Sequence, residues 1–183
     1  ELSLGNSADH FGPEKVVQGL AHGSWTSLPL FDGGVWNSSA CDDVAPLTCS
    51  LLRDRPELQG AMLSGKKPDT AVQLAFVSVY RLRPGSHIRR HVGSQWRLNT
   101  HLGLVTPQGA HIRVWNESRS WQVGRALSFL DAAEHEVIHG GDRDRCVLNV
   151  VSWHPNVMHQ LQFDPVFAAH FTNIGGLDPA EAK

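Results

Sequence analysis

Histidine is the residue type that most suggests chemistry in this sequence. The chain has 11 histidines among 183 residues, and most need only an ordinary role as surface or hydrogen-bonded core side chains. Two have a context that favours a metal. His91 follows the Pro84-Gly85 turn, and His135 opens a later strand-like run. Neutral imidazole binds iron, zinc and copper, so this pair predicts a metal site.

The residues around these histidines refine the prediction. Two histidines and a carboxylate make the facial triad of non-haem iron sites, but the position two residues after His91 is Gly93. We therefore expect an open, more positive centre with two protein ligands. His139 would lie about 13 Å from His135 along an extended strand, which is too far to share one ion. We predict that His139 lies at the rim.

Several polar residues sit at positions that predict a pocket. Arg145 begins the apolar run Cys146–Trp153, and a buried guanidinium is costly without an anion. A dicarboxylate could pair with it through two hydrogen bonds; a salt bridge to an Asp or Glu is the alternative. Arg97, Asn99 and His101 share one strand face by the two-residue period. They line either a polar pocket or the solvent face of an antiparallel sheet.

Short strand-like runs separated by turn residues must position these side chains. This pattern of short runs and turns is typical of an all-β sandwich or barrel. The lack of helical crossovers argues against a parallel α/β sheet. The predicted strands are Ala71–Arg83, Arg97–Val105, His111–Trp115, Ser120–Val123, Ala126–Leu130, His135–His139 and Cys146–Trp153.

The length fits one domain, residues 1–183. We divide it into an irregular N-terminal extension (1–69) packed on the core, an all-β core (70–155) and a C-terminal tail (156–183). Short helices are expected at Pro13–Leu20 and Asp164–Phe171. A net charge of −2 without a Lys/Arg stripe argues against a nucleic-acid partner. No apolar run approaches the roughly 20 residues of a membrane span.

Cysteine spacing leaves the compartment open. Cys41 and Cys49 close a short loop with Pro46 between them, which permits a disulfide but equally suits two free thiols. A disulfide would favour an oxidising compartment such as the secretory-pathway lumen, and free thiols would favour the cytoplasm. Cys146 lies in an apolar run and is interpreted as a core residue.

At this point the sequence resembles the aspartyl/asparaginyl β-hydroxylases. The resemblance covers roughly Val72 to Pro155, in order and with compatible spacing. Its motifs are Arg83-Pro-Gly-Ser-His-Ile-Arg-Arg-His91-Val-Gly93, Arg97-Leu-Asn-Thr-His101-Leu-Gly-Leu-Val, Val114-Trp-Asn-Glu-Ser with Trp121, Glu134-His135-Glu136-Val137 and Trp153-His154-Pro155. The segment from Cys41 to Cys49 also resembles the stretch before the oxygenase core, which favours the disulfide.

The resemblance implies a double-stranded β-helix (a cupin-like jelly roll) with short flanking helices. It implies an Fe(II) enzyme that uses 2-oxoglutarate and O2, with glycine normal at position 93. His91 and His135 match the iron ligands. His101 matches a residue that binds the C1 carboxylate of 2-oxoglutarate, and Arg145 matches the arginine that binds its far carboxylate.

Two positions depart from the family pattern. Asn99 stands where the family has a second carboxylate-binding arginine, and Arg97 on the same face is the expected partial replacement. Tyr80 stands in place of a serine that binds the far carboxylate, and its hydroxyl can still donate. We expect all three in the co-substrate pocket.

The resemblance implies hydroxylation of Asp or Asn side chains at the β-carbon, in a peptide or a protein such as an epidermal-growth-factor-like domain. A free amino acid or another small metabolite is a second possible substrate. A catalytically impaired jelly roll that binds metal or ligand without turnover is the alternative from a different class. Gly93 and Asn99 are the features that favour this last alternative.

Overall fold

The fold consists of two antiparallel sheets with helices on one side. A computed structural model describes residues 11–13, 20–32, 34–59, 75–93 and 97–166. The strands are β1 (Gly12–Pro13), β2 (Leu20–His22), β3 (Trp25–Asp32), β4 (Val35–Trp36), β5 (Phe76–Leu82), β6 (Ser86–His91), β7 (Arg97–Val105), β8 (Ala110–Val114), β9 (Glu117–Arg119), β10 (Ala126–Leu130), β11 (His135–His139) and β12 (Arg145–Trp153). The helices are α1 (Ser38–Asp43), α2 (Pro46–Leu52), α3 (Pro56–Gln59) and α4 (Pro155–Phe163).

The strand order is that of a jelly roll. The larger sheet has the order β1-β3-β5-β12-β7-β10, with β4 also paired to β3, and the smaller sheet has the order β2-β6-β11-β8-β9. Consecutive strands of the core, from β5 to β12, therefore alternate between the two sheets in most steps. This confirms the expected all-β, cupin-like fold with short flanking helices.

Two buried clusters hold the sheets in place. One lies between the sheets, where Leu82 and Val147 of the larger sheet meet Ile88, Ile112 and Val137 of the smaller one. We call the larger sheet's face on this side its inner face. The second cluster lies on the opposite, outer face, which α1 to α3 cover. Its buried members are Leu28, Leu30, Phe31, Ala40, Cys41, Val44, Ala45, Cys49, Leu58, Ala75, Val77, Val79 and Leu148.

The N-terminal third is more regular than the sequence predicts. Within the expected irregular extension, Trp25–Asp32 forms an eight-residue strand that pairs with β5. Pro29 lies within this strand, although proline cannot donate to a sheet ladder. The register shifts between Pro29 and Phe31, and such an irregularity accommodates proline. Residues 38–59 then supply the three helices of the outer layer.

Two other elements also differ from expectation. The strand expected at Ser120–Val123 is instead β9, Glu117–Arg119, because a tight turn at Trp115-Asn116 returns the chain earlier. The sequence does not predict α4 (Pro155–Phe163): Pro155 lies in its first turn, and the His154 side chain accepts a hydrogen bond from the Asn156 N–H. The expected helices Pro13–Leu20 and Asp164–Phe171 fall largely outside the described residues.

Cys41 and Cys49 form a disulfide, with Cα atoms 5.7 Å apart. It links α1 to α2 within the outer cluster, so it fastens the covering helices to each other. Cys146 is a free, buried thiol, as its apolar surroundings predict. No helix in the described ranges is both long and apolar enough to cross a membrane.

Candidate active site

The two candidate metal ligands lie side by side on neighbouring strands. His91 ends β6 and His135 begins β11, and the two are direct partners in this antiparallel pair. Their ring centroids are 4.1 Å apart. The alternation along β11 puts His135 on the same side as Val137, which is part of the cluster between the sheets. The pair therefore lies at the mouth of the jelly roll.

Each ring is oriented by a backbone carbonyl two residues earlier. His91 Nδ1 is 2.7 Å from the Arg89 carbonyl oxygen, and His135 Nδ1 is 2.7 Å from the Ala133 carbonyl oxygen. A carbonyl only accepts, so Nδ1 carries the hydrogen in both rings. In the neutral form of each ring, Nε2 then carries no hydrogen and can bind a metal, which is how metal-binding histidines are usually held.

The protonation state of His135 suits the same role. Burial lowers the pKa of His135, the nearby His91 ring lowers it further, and the bond to Ala133 only partly opposes them. The neutral imidazole is therefore favoured, and this is the form that binds metals.

Glu136 connects the strands that carry the pair. Its carboxylate, on the opposite side of β11, accepts hydrogen bonds from His87 of β6 at 2.9 Å and from Arg113 of β8. Burial raises the pKa of Glu136, but the bonds from His87 and Arg113, with Arg90 nearby, outweigh burial and lower it overall. A charged Glu136 thus fixes β6, β11 and β8 relative to one another.

An unpredicted carboxylate lies against Gly93. A Cβ built at Gly93 would overlap the Asp131 carboxylate, and the Gly93 N–H donates to the Asp131 carbonyl oxygen at 2.7 Å. The space that a side chain at position 93 would fill thus holds the carboxylate of Asp131. Asp131 precedes His135 by four residues in sequence, and only this proximity could have drawn attention to it.

Asp131 is held by the polar face of β7. Arg97 Nη2 donates to Asp131 Oδ2 at 2.6 Å, and Asn99 Nδ2 donates to Asp131 Oδ1 at 3.2 Å. All three side chains are buried. The Arg97 charge is therefore matched within the protein, which differs from its expected use as a second grip on a co-substrate.

His101 lies beside Arg145 on the inner face. The two are 3.5 Å apart, between Arg145 Nη2 and His101 Nδ1, and Trp121 Nε1 donates to the same Nδ1 at 3.3 Å. Both neighbours are donors, so Nδ1 must accept and His101 is neutral. Burial lowers the pKa of His101 well below its ordinary value, with Arg145 and His135 adding to the effect.

Arg145 is a buried cation without a carboxylate. Its side chain is 1% exposed, and no Asp or Glu of the described ranges forms an ion pair with it. Its guanidinium carbon lies 3.8 Å from the centre of the Trp121 ring, and its Nε has no hydrogen-bond partner. Burial lowers the pKa of Arg145 to about 9, so it stays protonated at neutral pH. Such a group is expected to bind an anion.

A cleft of about 1000 Å³ lies next to these groups. Trp121 and Phe129 form part of its wall. The Phe129 ring is centred 4.8 Å from the His135 ring and 5.5 Å from the His101 ring. The cleft is therefore separated from both the metal pair and the anion pocket by single aromatic rings.

Residues 4–155 match the sequence profile of the family described as Aspartyl/Asparaginyl beta-hydroxylase. The chain belongs to the aspartyl/asparaginyl β-hydroxylase family. It is 36% identical over 140 residues to the human aspartyl/asparaginyl beta-hydroxylase, an alignment that covers 75% of this chain and 17% of that protein. It is 42% identical over 145 residues to the mouse aspartate beta-hydroxylase domain-containing protein 2, covering 77% and 39%.

This β-hydroxylase-family chain thus spans less than half the length of these relatives. Among solved structures, a cupin protein from Bacteroides fragilis is similar with a TM-score of 0.39 and 17% identity, over 44% of this chain and 67% of that one. The assignment of the fold rests on the strand order described above.

The sequence-predicted residues of this family member come together unequally. His91 and His135 are adjacent, and His101 and Arg145 form a second group nearby. Tyr80 lies on the inner face opposite Val147 and packs edge-on against Trp25. His139 is 1% exposed rather than at a rim, because its Nε2 donates to the Arg143 carbonyl and braces the turn before β12. In the described ranges, no three His, Cys, Asp or Glu side chains form a metal-binding group.

Proposed function

We propose that the chain is an Fe(II)- and 2-oxoglutarate-dependent hydroxylase acting on the β-carbon of Asp or Asn side chains in a peptide or protein. One observation carries the proposal. The buried Arg145 has no carboxylate partner in the described structure, and it shares the interior of the jelly roll with two histidines whose Nε2 atoms are available. A dicarboxylate that also binds the metal would satisfy both features at once.

The donor set fits iron. His91 and His135 would hold the ion through Nε2, since imidazole nitrogen suits iron as well as zinc and copper. The Asp131 carboxylate lies where a residue-93 carboxylate would otherwise lie, and it would add negative charge next to the ion. Arg97 and Asn99 would keep that carboxylate oriented through their hydrogen bonds.

The co-substrate fits the second group of residues. Arg145 would bind the far carboxylate of 2-oxoglutarate, since a guanidinium pairs with a carboxylate through two parallel bonds. His101, neutral and next to Arg145, would donate from Nε2 to the other end of the keto acid. Tyr80 lies on the neighbouring strand of the same inner face and would add a hydroxyl.

When bound, iron and the keto acid would insert one oxygen atom of O2 into the C–H bond, with the other appearing in succinate as CO2 leaves. The protein's own contribution is orientation and the exclusion of water. The rings of Trp121 and Phe129 would shield the reacting centre. His101 would stay neutral because its burial disfavours the imidazolium.

The test is succinate release with Fe(II), 2-oxoglutarate and Asp- or Asn-containing peptides. We expect His91→Ala and His135→Ala each to reduce release to background, since each removes one of only two proposed ligands. His159→Ala is the matched control, because His159 is exposed on α4 and should leave turnover unchanged. If both active-site variants keep wild-type turnover, the ligand assignment is wrong.

The same experiment separates the alternatives. Hydroxylation of free Asp or Asn, but not of peptides, would identify a small-molecule enzyme. Binding of iron and 2-oxoglutarate without succinate release from any substrate would identify an inert binding protein. Hydroxylation of an epidermal-growth-factor-like peptide, detected as a mass increase of one oxygen, would support a protein substrate.

A further inference from the structure

Each of the two sheets ends at the cleft in an edge strand, and the two edge strands differ in length and charge. β9 is the last strand of the smaller sheet and β10 the last strand of the larger one, and residues of both line the cleft. β9 is three residues long, and its Glu117 and Arg119 side chains pair with each other. Short, charged edges of this kind are protected against pairing with another chain.

β10 lacks these protections. Its sequence, Ala126-Leu-Ser-Phe-Leu130, contains no charge and no proline, and its pairing with β7 runs without a bulge. An open, regular, uncharged edge is a template for an added strand. In this part of the described structure such an edge therefore needs an occupant.

The hydrogen-bonding groups on the open side of β10 follow from its register. The bonds that flank the strand join Gly103 to Arg125 and Asp131 to Arg97, so the odd-numbered residues bond to β7. By the alternation of an antiparallel ladder, the N–H and C=O groups of Ala126 and Ser128, and the N–H of Leu130, point to the open edge. No hydrogen bond within the described ranges uses them.

We propose that the substrate peptide binds in an extended form as an additional antiparallel strand along β10. This inference rests on the proposed function, since it assigns the binding mode of that substrate. Antiparallel pairing is chosen because every pair of named strands in both sheets is antiparallel. Main-chain hydrogen bonds would then supply affinity, and side-chain pockets would supply selectivity.

The register places the target residue. Phe129 points inward, and its ring is 4.8 Å from that of His135. Side chains directly opposite each other in a sheet lie on the same face, so the peptide residue opposite Phe129 also points inward, toward His135. That residue is the one to be hydroxylated. Its own N–H faces away from β10, whereas those of its two neighbours face it.

The opposite wall presents an aromatic side chain in a constrained position. Trp115 has a φ of 49°, a left-handed conformation that bulky residues rarely adopt. It is 64% exposed and lines the cleft, while its N–H donates to the Glu134 carbonyl at 2.8 Å. The two-residue turn between β8 and β9 requires this conformation, and the exposed ring is placed where it would contact the bound peptide.

The first experiment is an N-methyl scan of the peptide. The probe is a pool of acetylated peptides of about nine residues with a central Asp or Asn, long enough to cover the five residues of β10. Flanking positions vary among Thr, Val, Ser and Lys. Binding is measured without O2, by anisotropy of a fluorescent label, on the full chain with Fe(II) and 2-oxoglutarate.

N-methylation of either neighbour of the central residue should weaken binding about tenfold, the equivalent of one hydrogen bond. N-methylation of the central residue itself should have little effect. Absence of pool binding, equal effects at all positions, or the opposite alternation would each overturn the proposal.

Enzyme variants test the same edge from the other side. Ser128→Pro removes an outward N–H, and an edge strand tolerates proline at such a position. Ser128→Ala is the matched control, since both variants lose the hydroxyl bond to Thr100 but only the proline loses the N–H. We expect Ser128→Pro to raise the peptide KM about tenfold with an unchanged 2-oxoglutarate KM. Equal KM values for the two variants would contradict the proposal.

Trp115→Gly covers the case in which Ser128→Pro fails to fold. Glycine adopts the φ of this position without strain, so this variant should keep its thermal stability while its peptide KM rises. An unchanged peptide KM would remove Trp115 from the proposal. If the effect of N-methylation on binding alternates along the peptide but no succinate is released, the proposed function is overturned. The proposed strand-binding site on β10 is then supported. If peptides support succinate release but the effect of N-methylation does not alternate, only the proposed strand-binding site is overturned.

Discussion

The two faces of the larger sheet are built from the same strands but differ in kind. On β12, Leu148 and Val150 point outward to the helices, whereas Arg145 and Asn149 point inward. On β7, Leu102 and Leu104 belong to the outer cluster, whereas Asn99 and His101 face the interior. The outer face is apolar and closed by a disulfide-linked layer. The inner face carries buried polar and charged side chains beside its apolar ones.

Buried polar atoms without a hydrogen-bond partner distinguish the inner face from the outer face. The side chains of Asn99, Asn149 and Arg145 each contain a buried atom without a hydrogen-bond partner in the described structure, and such atoms are costly. Among the described residues of the outer face, no buried side-chain atom lacks a partner in this way. The outer face is therefore organised for stability, whereas the buried polar groups of the inner face are those that the proposed function assigns to binding.

The largest effect on stability should come from the outer face. Leu28 is 1% exposed and lies opposite Val79 in the β3–β5 pair. Leu28→Ala should lower the free energy of unfolding by about 3 kcal/mol, because it leaves a cavity. Denaturant titration measures this. Iron content and 2-oxoglutarate affinity of the folded variant should stay at wild-type values, and a loss of either would mean that the two faces are coupled.

A substitution on the inner face should weaken ligand binding without lowering stability. Arg145→Met removes the buried cation while keeping much of its volume, so 2-oxoglutarate affinity should fall about 100-fold. The free energy of unfolding should stay equal or rise, because replacing a buried charge with an apolar side chain is often neutral or stabilising. Arg143→Met is the control, since Arg143 is exposed and should affect neither quantity. A loss of stability as large as that of Leu28→Ala would contradict the distinction.

The smallest effect concerns pH. Burial lowers the pKa of His101 in the folded protein below its ordinary value of 6.5. Below pH 6.5 the unfolded chain therefore binds a proton that the folded protein does not, and the free energy of unfolding falls as the pH falls. His101→Gln should reduce this fall by about 1 kcal/mol per pH unit. Urea unfolding of the metal-free protein between pH 7.5 and 5.5 measures it, and identical slopes would contradict a buried, neutral His101.

The core strands were predictable, but the N-terminal ones were not. The runs at Arg97–Val105, Ala126–Leu130 and His135–His139 agree with β7, β10 and β11 because alternation and turn residues are local signals. β3 escaped prediction because it lies in a stretch rich in Gly, Ser, Asp and Pro, a composition that favours turns and loops. Its place in the sheet depends on pairing with β5, about fifty residues later in sequence.

The residues of the candidate site also divide into those that the sequence predicts and those that it does not. His91, His135, His101 and Arg145 were identified by residue type and by their family motifs. Asp131 was not, because nothing local marks an Asp four residues before a histidine. The sequence predicts an external anion for Arg97, since it does not reveal that Asp131, which follows β10, lies next to it.

The sequence by itself determined the residue types, the strand periodicity and the family, because each depends on neighbours along the chain. Only the tertiary structure decided which charges are matched and which are not. Arg97 and Arg145 look alike as buried arginines at strand starts. One meets Asp131 and the other meets Trp121 and His101, since the partner of a buried charge is set by strands distant in sequence.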